Sequence, residues 1–270
     1  MSLASATIET QTPSVRAYVN LVDVSVNSPE QVEGLRRAGG VVAETLRVLR
    51  AMVAPGVSTV ELDASAAGLF ATHGARSGPI LTYGYPGSIC VSVDEEVVHG
   101  IPGDRVLRDG ELVTLDVAAE LDGYHADAAI TVPVGRIDDR RRRLLIATRS
   151  GLTAGISASR AGATLRDVGA AVEREVNRHG FSVIRELTGH GIGRAMHENP
   201  TVFNWAAPQA TTRLTPGLVF TIEPMVSAGA TQLRARRDGW TIETADRSPS
   251  AHQEHTIMIT KGRPLVLTKH

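Results

Sequence analysis

The sequence predicts an α+β domain built from two similar halves, each made of two helices followed by β-strands. Three landmarks recur at nearly constant spacing, and these are Gly56 with Gly162, Gly74 with Gly180, and residues 110–116 with residues 217–223. Such spacing indicates an internal duplication, with pseudo-repeats at about 29–135 and 136–262. Two such halves would pack their helices on a curved antiparallel sheet with pseudo-twofold symmetry. We expect residues 1–28 to form an N-terminal arm and residues 29–270 to form a single domain.

Capping residues and helical periodicity predict the helices in order. Ser28 precedes Pro29, which is a preferred arrangement at the start of a helix, and Pro55 marks the end of that helix. Asp138 begins the equivalent helix in the second half. The expected helices, with approximate ends, are residues 29–54, 59–73, 139–159 and 165–179. Residues 79–84 are expected to form a loop.

Strand-like runs follow each pair of helices. The expected strands are residues 89–93, 97–101, 112–119, 126–134, 181–187, 218–223, 240–244 and 255–260. Asp122-Gly123 between two of these runs is a strong hairpin signal. A two-residue turn pairs Ala118 with Asp127, which makes Asp116 the diagonal neighbour of Asp127 on the same face. Asp116 and Glu223 are expected to be equivalent residues, each at the end of an apolar strand.

The composition restricts the class of function. Hydrophobic residues make up 42% of the 270 residues, charged residues 21%, and the formal net charge is −1. This charge gives no support to a general attraction to nucleic acid or membranes. The single cysteine, Cys90, excludes a disulfide scaffold and a cysteine-ligated zinc finger. Because the sequence has neither a secretory signal nor an apolar run of membrane-spanning length, we expect a cytoplasmic protein.

Acidic residues stand beside apolar strands, where an unpaired carboxylate is unfavourable. Asp116 and Asp127 lie on the predicted hairpin, and Glu223 and Glu254 flank two later apolar runs. Carboxylates that point together share either a proton or cations. For each residue alone an ordinary role remains open, as part of an exposed hairpin face, as an arginine partner or as a polar loop residue.

Three histidines are candidates for chemistry. His190 lies between two glycines, His197 follows in the same segment, and His99 ends an apolar run. Each of them alone is also consistent with a structural or surface histidine. The segment 189–200 matches neither the dinucleotide-binding glycine motif nor the paired histidines of zinc-dependent proteases.

Taken together, the four carboxylates and His190 favour a site for two divalent metal ions. Oxygen ligands with one imidazole suit Co²⁺, Mn²⁺, Fe²⁺ or Zn²⁺. Two such ions can lower the pKa of a water molecule held between them and polarise a carbonyl group. The residues therefore indicate metal-assisted hydrolysis of an amide or ester.

These motifs resemble those of type I methionine aminopeptidases, members of peptidase family M24 with the pita-bread (creatinase/aminopeptidase) fold. The resemblance covers about residues 29–262. It rests on the segments 97–102, 115–116, 123–127, 189–193, 220–226, 238–241 and 254–256.

The resemblance implies five metal ligands, which are Asp116, Asp127, His190, Glu223 and Glu254. It also implies that Glu223 accepts a proton from the attacking water, that His99 assists the leaving amine, and that His197 stabilises the carbonyl oxygen. The implied substrate is a peptide or nascent polypeptide with an N-terminal methionine and a small second residue.

The resemblance further implies a pocket for the methionine side chain. It would be lined by Tyr85, Cys90, Met196 and Trp240, because a thioether suits sulfur and aromatic neighbours. Ordinary core packing would also explain these four residues. Val98 and Met196 depart from common family residues, which leaves open an auxiliary enzyme of shifted, prolidase-like specificity. A non-catalytic binding protein with the same fold is the other alternative.

The sequence also bears on partners. We expect a monomer with no membrane partner and no sequence-specific nucleic-acid binding. The run of arginines at 140–143 either contacts ribosomal RNA transiently or begins a solvated helix.

Overall fold

The computed structural model describes residue 26 and residues 28–269, so nearly all of the predicted N-terminal arm lies outside the described residues. The helices are α1 (Pro29–Met52), α2 (Thr59–His73), α3 (Gly78–Tyr83), α4 (Asp139–Ala158) and α5 (Leu165–Arg178). The strands are β1 (Arg76–Ser77), β2 (Cys90–Val93), β3 (Glu96–Val98), β4 (Leu112–Leu121), β5 (Tyr124–Pro133), β6 (Ser182–Val183), β7 (Gly189–Gly191), β8 (Glu198–Val202), β9 (Val219–Ile222), β10 (Met225–Ser227), β11 (Leu233–Ala235), β12 (Ile242–Thr244), β13 (Ser250–His252), β14 (His255–Met258) and β15 (Leu265–Val266).

Each half begins with a pair of capped helices, as predicted. The Ser28 hydroxyl accepts a hydrogen bond from the Gln31 amide at the start of α1. At the start of α4, the Asp138 carboxylate accepts one from the Arg141 amide at 2.8 Å. These side chains satisfy amides that have no partner in the first turn of a helix. None of the described helices is long and apolar enough to cross a membrane.

The hairpin formed by β4 and β5 confirms the predicted register. Leu121 pairs with Tyr124 and Ala118 pairs with Asp127. Asp122 and Gly123 have positive φ angles of 53° and 79°, which suits the tight turn that connects twisted strands. The expectation that Asp116 ends its strand is wrong, because β4 continues to Leu121.

Three other local predictions are also wrong, and one strand was not predicted at all. The segment 79–84 belongs largely to helix α3, whose end is capped by Gly84 at a φ of 67°. Strand β3 stops at Val98 because His99 has a φ of 58°, outside the extended region. The segment 181–187 contains only the short strand β6. The glycine-rich segment around His190 forms β7, which was not predicted.

The glycines beside His190 allow close packing of strands. A Cβ atom at Gly191 would lie 2.0 Å from the carbonyl oxygen of Asn199, and one at Gly189 would lie 2.6 Å from that of Thr221. The small residues are therefore required by the neighbouring backbone.

Two hydrophobic cores lie under the two helix pairs. The first joins α1 and α2 to β4 and β5, and the second joins α4 and α5 to β9 and β14. All strand pairs among the described residues are antiparallel. The halves meet where Ile130 bridges Gln253 and where the Glu254 amide donates to the carbonyl of Ala129 at 2.8 Å. The single-domain boundaries and the exact limits of the pseudo-repeats stay predictions.

Candidate metal centre

The five residues predicted to bind metal come from both halves and meet at this junction. Asp116 and Asp127 lie in the β4–β5 hairpin, where burial, helped by the Asp116 carboxylate, raises the pKa of Asp127. His190 is the middle residue of β7, Glu223 follows β9, and Glu254 lies between β13 and β14. Donor atoms of Asp127, His190 and Glu254 all lie within 4.8 Å of one another. The structure therefore brings these side chains together.

Two buried carboxylate oxygens in this centre, Asp127 Oδ1 and Glu254 Oε1, have no hydrogen-bond partner. An unpaired buried carboxylate is costly unless a proton or a cation neutralises it. The donor set is rich in carboxylate oxygen and contains one neutral imidazole, which suits divalent cations. These residues therefore fit a metal centre.

The orientation of His190 supports the same conclusion. Its Nδ1–H donates to the carbonyl of Gly191 at 2.9 Å, so its Nε2 carries the lone pair. Nε2 lies 3.5 Å from Glu223 Oε1, which is also an acceptor. Two acceptors face each other favourably only with a cation or a proton between them, and this arrangement of the second ring nitrogen is usual for histidine ligands.

The pKa values of the centre reflect its burial. Burial is the largest cause that raises the pKa values of Asp127, Glu223 and Glu254, and the neighbouring carboxylates raise them further. Burial lowers the pKa of His190 to about 4, so its imidazole is neutral near pH 7. Metal binding would displace protons from the carboxyl groups, and metal affinity should therefore increase with pH.

Two threonines hold ligands of the centre in place. The Thr221 hydroxyl donates to Glu223 Oε1 at 2.7 Å and accepts from the His190 amide at 3.0 Å. The Thr256 hydroxyl accepts from the Asp127 amide at 3.0 Å and donates to its carbonyl at 2.7 Å. Thr221 thus connects β7 to β9, and Thr256 connects β5 to β14.

His99 and His197 lie beside the centre. The ring centroid of His197 is 4.0 Å from that of His190. The carbonyl of His99 accepts from the Thr241 hydroxyl at 3.3 Å, which secures its positive-φ conformation. Burial is the largest cause that lowers the pKa values of both His99 and His197, and His190 adds to the effect at His197, although both residues keep solvent-exposed surface.

An apolar group of residues adjoins Asp116. Tyr85 and Trp240 pack edge to face with ring centroids 5.1 Å apart. Cys90 is buried, lies close to Tyr85, and pairs with Asp116 across β2 and β4. The structure therefore places three of the four predicted pocket residues together beside the carboxylates.

Met196 lies against the start of α3. Its sulfur would be 3.3 Å from a Cβ atom at Gly78, and Ala118 lies on the same side. Met196 is buried, as is Val98, which packs with Ile184 and Met225 in a separate small cluster.

Two polar residues beside the centre were missed by sequence reasoning. The Tyr83 hydroxyl hydrogen-bonds His197 Nδ1. Neither ring nitrogen of buried His252 has a hydrogen-bond partner, and its Nε2 lies 3.6 Å from Glu254 Oε2. The spacing of His252 two residues before Glu254 was a usable signal, whereas Tyr83 is 114 residues from its partner.

Comparison with known proteins decides the family. A sequence profile described as metallopeptidase family M24 matches residues 33–261. The chain belongs to metallopeptidase family M24. Methionine aminopeptidase 1 of Bacillus subtilis (strain 168) is 42% identical over 242 residues, which cover 90% of this chain and 98% of the relative. Methionine aminopeptidase of Escherichia coli (strain K12) is 42% identical over 247 residues, which cover 91% and 94%.

Solved structures agree with this assignment to family M24. Methionine aminopeptidase from Thermotoga maritima superposes with a TM-score of 0.89 at 37% identity, covering 92% of this chain and all of that one (100%). Prolidase from Pyrococcus furiosus superposes with a TM-score of 0.74 at 19% identity and shares the fold. The predicted pita-bread fold, the hydrolase class and the resemblance to methionine aminopeptidases are confirmed. Membership of a metallopeptidase family also implies use of a divalent metal.

Proposed function

We propose that this protein removes the N-terminal methionine from peptides and nascent polypeptides whose second residue is small. The observation that carries the proposal is the junction of Asp116, Asp127, His190, Glu223 and Glu254, in which buried carboxylate oxygens lack partners and a bare imidazole nitrogen faces a carboxylate. These residues would hold two divalent ions of Co²⁺, Mn²⁺, Fe²⁺ or Zn²⁺. The ions, when bound, would acidify a water molecule and polarise the scissile carbonyl.

The remaining steps of the reaction are carried out by side chains of the protein itself. Glu223 accepts a proton from the attacking water at a carboxylate oxygen, and Thr221 holds that carboxylate in place from 2.7 Å. His197 donates a hydrogen bond to the carbonyl oxygen as negative charge develops on it. His99 lies at the edge of the metal centre and assists departure of the new amine. Both histidines are neutral near pH 7 because their pKa values are lowered.

The substrate preference rests on the pocket beside Asp116. Tyr85, Cys90 and Trp240 offer an apolar, partly aromatic surface with a sulfur atom, which suits the methionine thioether. Met196 completes the lining from the side of α3. Small second residues fit because the scissile bond must reach the carboxylates next to this pocket.

The cellular setting follows from the substrate. Nascent chains emerge in the cytoplasm, so we place the protein there. We also propose that it acts as a monomer. Contact between the arginine run and ribosomal RNA has weak support, because Arg140 donates to the carbonyl of Ala228 and Arg141 and Arg142 pair with aspartates. These contacts favour the alternative, in which the arginine run forms the start of a solvated helix.

Other activities of the same fold have less support. The similarity to prolidase, at 19% identity, carries only the fold. A non-catalytic binding protein would have no need to keep the whole set of carboxylates buried beside His190, given the cost of burying them.

The test is release of methionine from a Met-Ala-Ser peptide by metal-stripped protein titrated with Co²⁺, Mn²⁺ or Fe²⁺. We expect release to return with metal. A folded protein that binds two ions but releases no methionine would contradict the proposal. Hydrolysis of an Xaa-Pro dipeptide in place of this peptide would favour the prolidase-like alternative.

A further inference from the structure

Tyr83 is a polar residue of the active-site region that the mechanism above does not use. Its hydroxyl hydrogen-bonds Nδ1 of His197, and the two ring centroids are 5.5 Å apart. His197 in turn packs on His190 with a centroid distance of 4.0 Å. The imidazole of His197 therefore lies between Tyr83 on one side and the metal centre on the other.

The fold holds Tyr83 firmly in this position. Tyr83 is the last residue of α3, which ends at Gly84 in a left-handed conformation. The Ser77 hydroxyl caps the start of α3 and donates to the carbonyl of Ser88 at 2.7 Å. Strand β1, just before α3, pairs with β4 through Ser77 and Ala119. Helix α3 is thus attached at its start to the sheet that carries Asp116.

His197 is held with equal firmness from the second half. The Glu198 carboxylate accepts hydrogen bonds from the amides of Arg194 and Ala195, both at 2.7 Å, and so closes the turn before His197. The hydrogen bond between Tyr83 and His197 therefore joins two anchored segments, one from each half.

The direction of this hydrogen bond determines which nitrogen of His197 carries the proton. A phenol hydroxyl is a more acidic donor than an imidazole N–H, and an imidazole nitrogen is a more basic acceptor than a phenol oxygen. Tyr83 is therefore the donor and Nδ1 the acceptor, which leaves the ring proton on Nε2. An Nε2–H group can donate to a carbonyl oxygen, whereas a bare Nε2 cannot.

We propose that Tyr83 is a positioning residue that holds His197 in the Nε2–H tautomer, ready to donate to the carbonyl oxygen of the scissile peptide. The inference about the tautomer concerns the folded protein alone, and its catalytic consequence rests on the proposed function.

The first test reads the tautomer directly. Long-range ¹H–¹⁵N NMR spectra of the Zn²⁺-loaded protein, with His197 assigned from a His197→Gln variant, should show the Nε2–H form. Tyr83→Phe should shift His197 toward a mixture of tautomers. An Nδ1–H form in the unmodified protein would overturn the inference, even if methionine release is normal. Conversely, loss of methionine release in every assay would defeat the proposed function and leave the tautomer result standing.

The second test measures the catalytic effect. Tyr83→Phe should lower kcat about three- to tenfold, the usual value of one neutral hydrogen bond, with little change in KM. Tyr124→Phe is the matched control, because the Tyr124 hydroxyl accepts from Arg194 at 2.8 Å in the same turn but does not touch His197. That control should keep its kcat within twofold.

A double-mutant cycle separates positioning from general damage to the fold. In a His197→Gln background, Tyr83→Phe should cause no further loss of kcat, because Tyr83 acts on the reaction through His197. A full additional loss in that background would overturn the inference, as would an equal effect of Tyr124→Phe.

Discussion

The two halves of this molecule supply the metal centre in different ways. The first half presents Asp116 and Asp127 from a hairpin of two ten-residue strands. The second half presents His190, Glu223 and Glu254 from strands of three or four residues, or from their ends. The duplicated sequence landmarks therefore correspond to one long, regular hairpin in the first half and to several short, separate strands in the second.

The difference shows what holds a ligand in place. On the hairpin, continuous backbone pairing determines where each carboxylate lies, and the Thr256 hydroxyl adds bonds only to the backbone of Asp127. In the second half, individual side chains do this work, since Thr221 binds the Glu223 carboxylate and Asn204 donates to the Glu223 carbonyl at 3.0 Å. Substitution of single supporting residues should therefore affect the second half more than the first.

The largest expected effect is loss of a carboxylate that lies between the two halves. Asp127→Asn should reduce metal-dependent methionine release by more than about a hundredfold, which exceeds the usual loss for a residue that only supports a ligand. The metal-free variant should also be more stable than the parent, because it buries one fewer ionisable group. Kinetics with added Mn²⁺ and thermal unfolding without metal would check both effects.

Asp139→Asn is the control for that substitution. Asp139 is exposed on α4 and pairs only with Arg142 among the described contacts, so it should change neither property. Retained activity in Asp127→Asn would mean that this residue does not hold metal.

The next prediction compares one buried threonine from each half. Thr221→Val should weaken metal binding about ten- to hundredfold, because it frees the Glu223 carboxylate. Thr114→Val removes a buried hydroxyl hydrogen bond of 2.7 Å to Thr131 on the hairpin, and we expect less than about a threefold change. Calorimetric titration with Mn²⁺ measures both, and equal losses would refute the contrast between halves.

A smaller effect is expected at His252. Its donor and acceptor atoms are buried without partners, and it groups with Glu223 and Glu254 within 4.8 Å. His252→Leu should weaken metal binding about tenfold, while His252→Gln, which keeps an N–H donor, should stay close to the parent. Dissociation constants for Mn²⁺ and Co²⁺ would decide this, and identical values for Leu and Gln would argue against a polar role.

The smallest expected effect concerns pH. The raised pKa of Glu223, about 8, means that the folded state keeps a proton that the unfolded state loses near pH 4.5. Stability of the metal-free protein should therefore fall as pH rises toward 8. His190 acts in the opposite direction, because its lowered pKa of about 4 makes stability rise only up to about pH 6.5.

Of these two groups, therefore, only Glu223 changes the stability of the metal-free protein between pH 6.5 and 8. We expect the free energy of unfolding of the metal-free protein to fall by roughly 1 kcal/mol over this interval. Urea titrations at several pH values would measure it. The decrease in the free energy of unfolding with pH should be smaller in Glu223→Gln and when metal is added. A rise in stability between pH 6.5 and 8 would contradict the raised pKa of Glu223.

Much of this protein follows from its sequence by itself. Ser28 and Asp138 cap their helices, and Asp122-Gly123 forms the hairpin turn that pairs Ala118 with Asp127. These features depend on residues close together in the chain, where capping, turn preference and strand alternation act directly. The motifs also identified the family and its candidate ligands.

Tertiary structure alone decided the rest. Strand β7 exists because Gly189 and Gly191 let neighbouring strands approach, and the short strand β3 ends where His99 takes a positive φ beside Thr241. Tyr83 meets His197 only when the two halves pack together, because α3 lies against the sheet of the first half and His197 belongs to the second. The contacts of His99 with Thr241 and of Tyr83 with His197 join residues more than a hundred positions apart, and no local preference specifies them, because their energy arises only when both halves have packed.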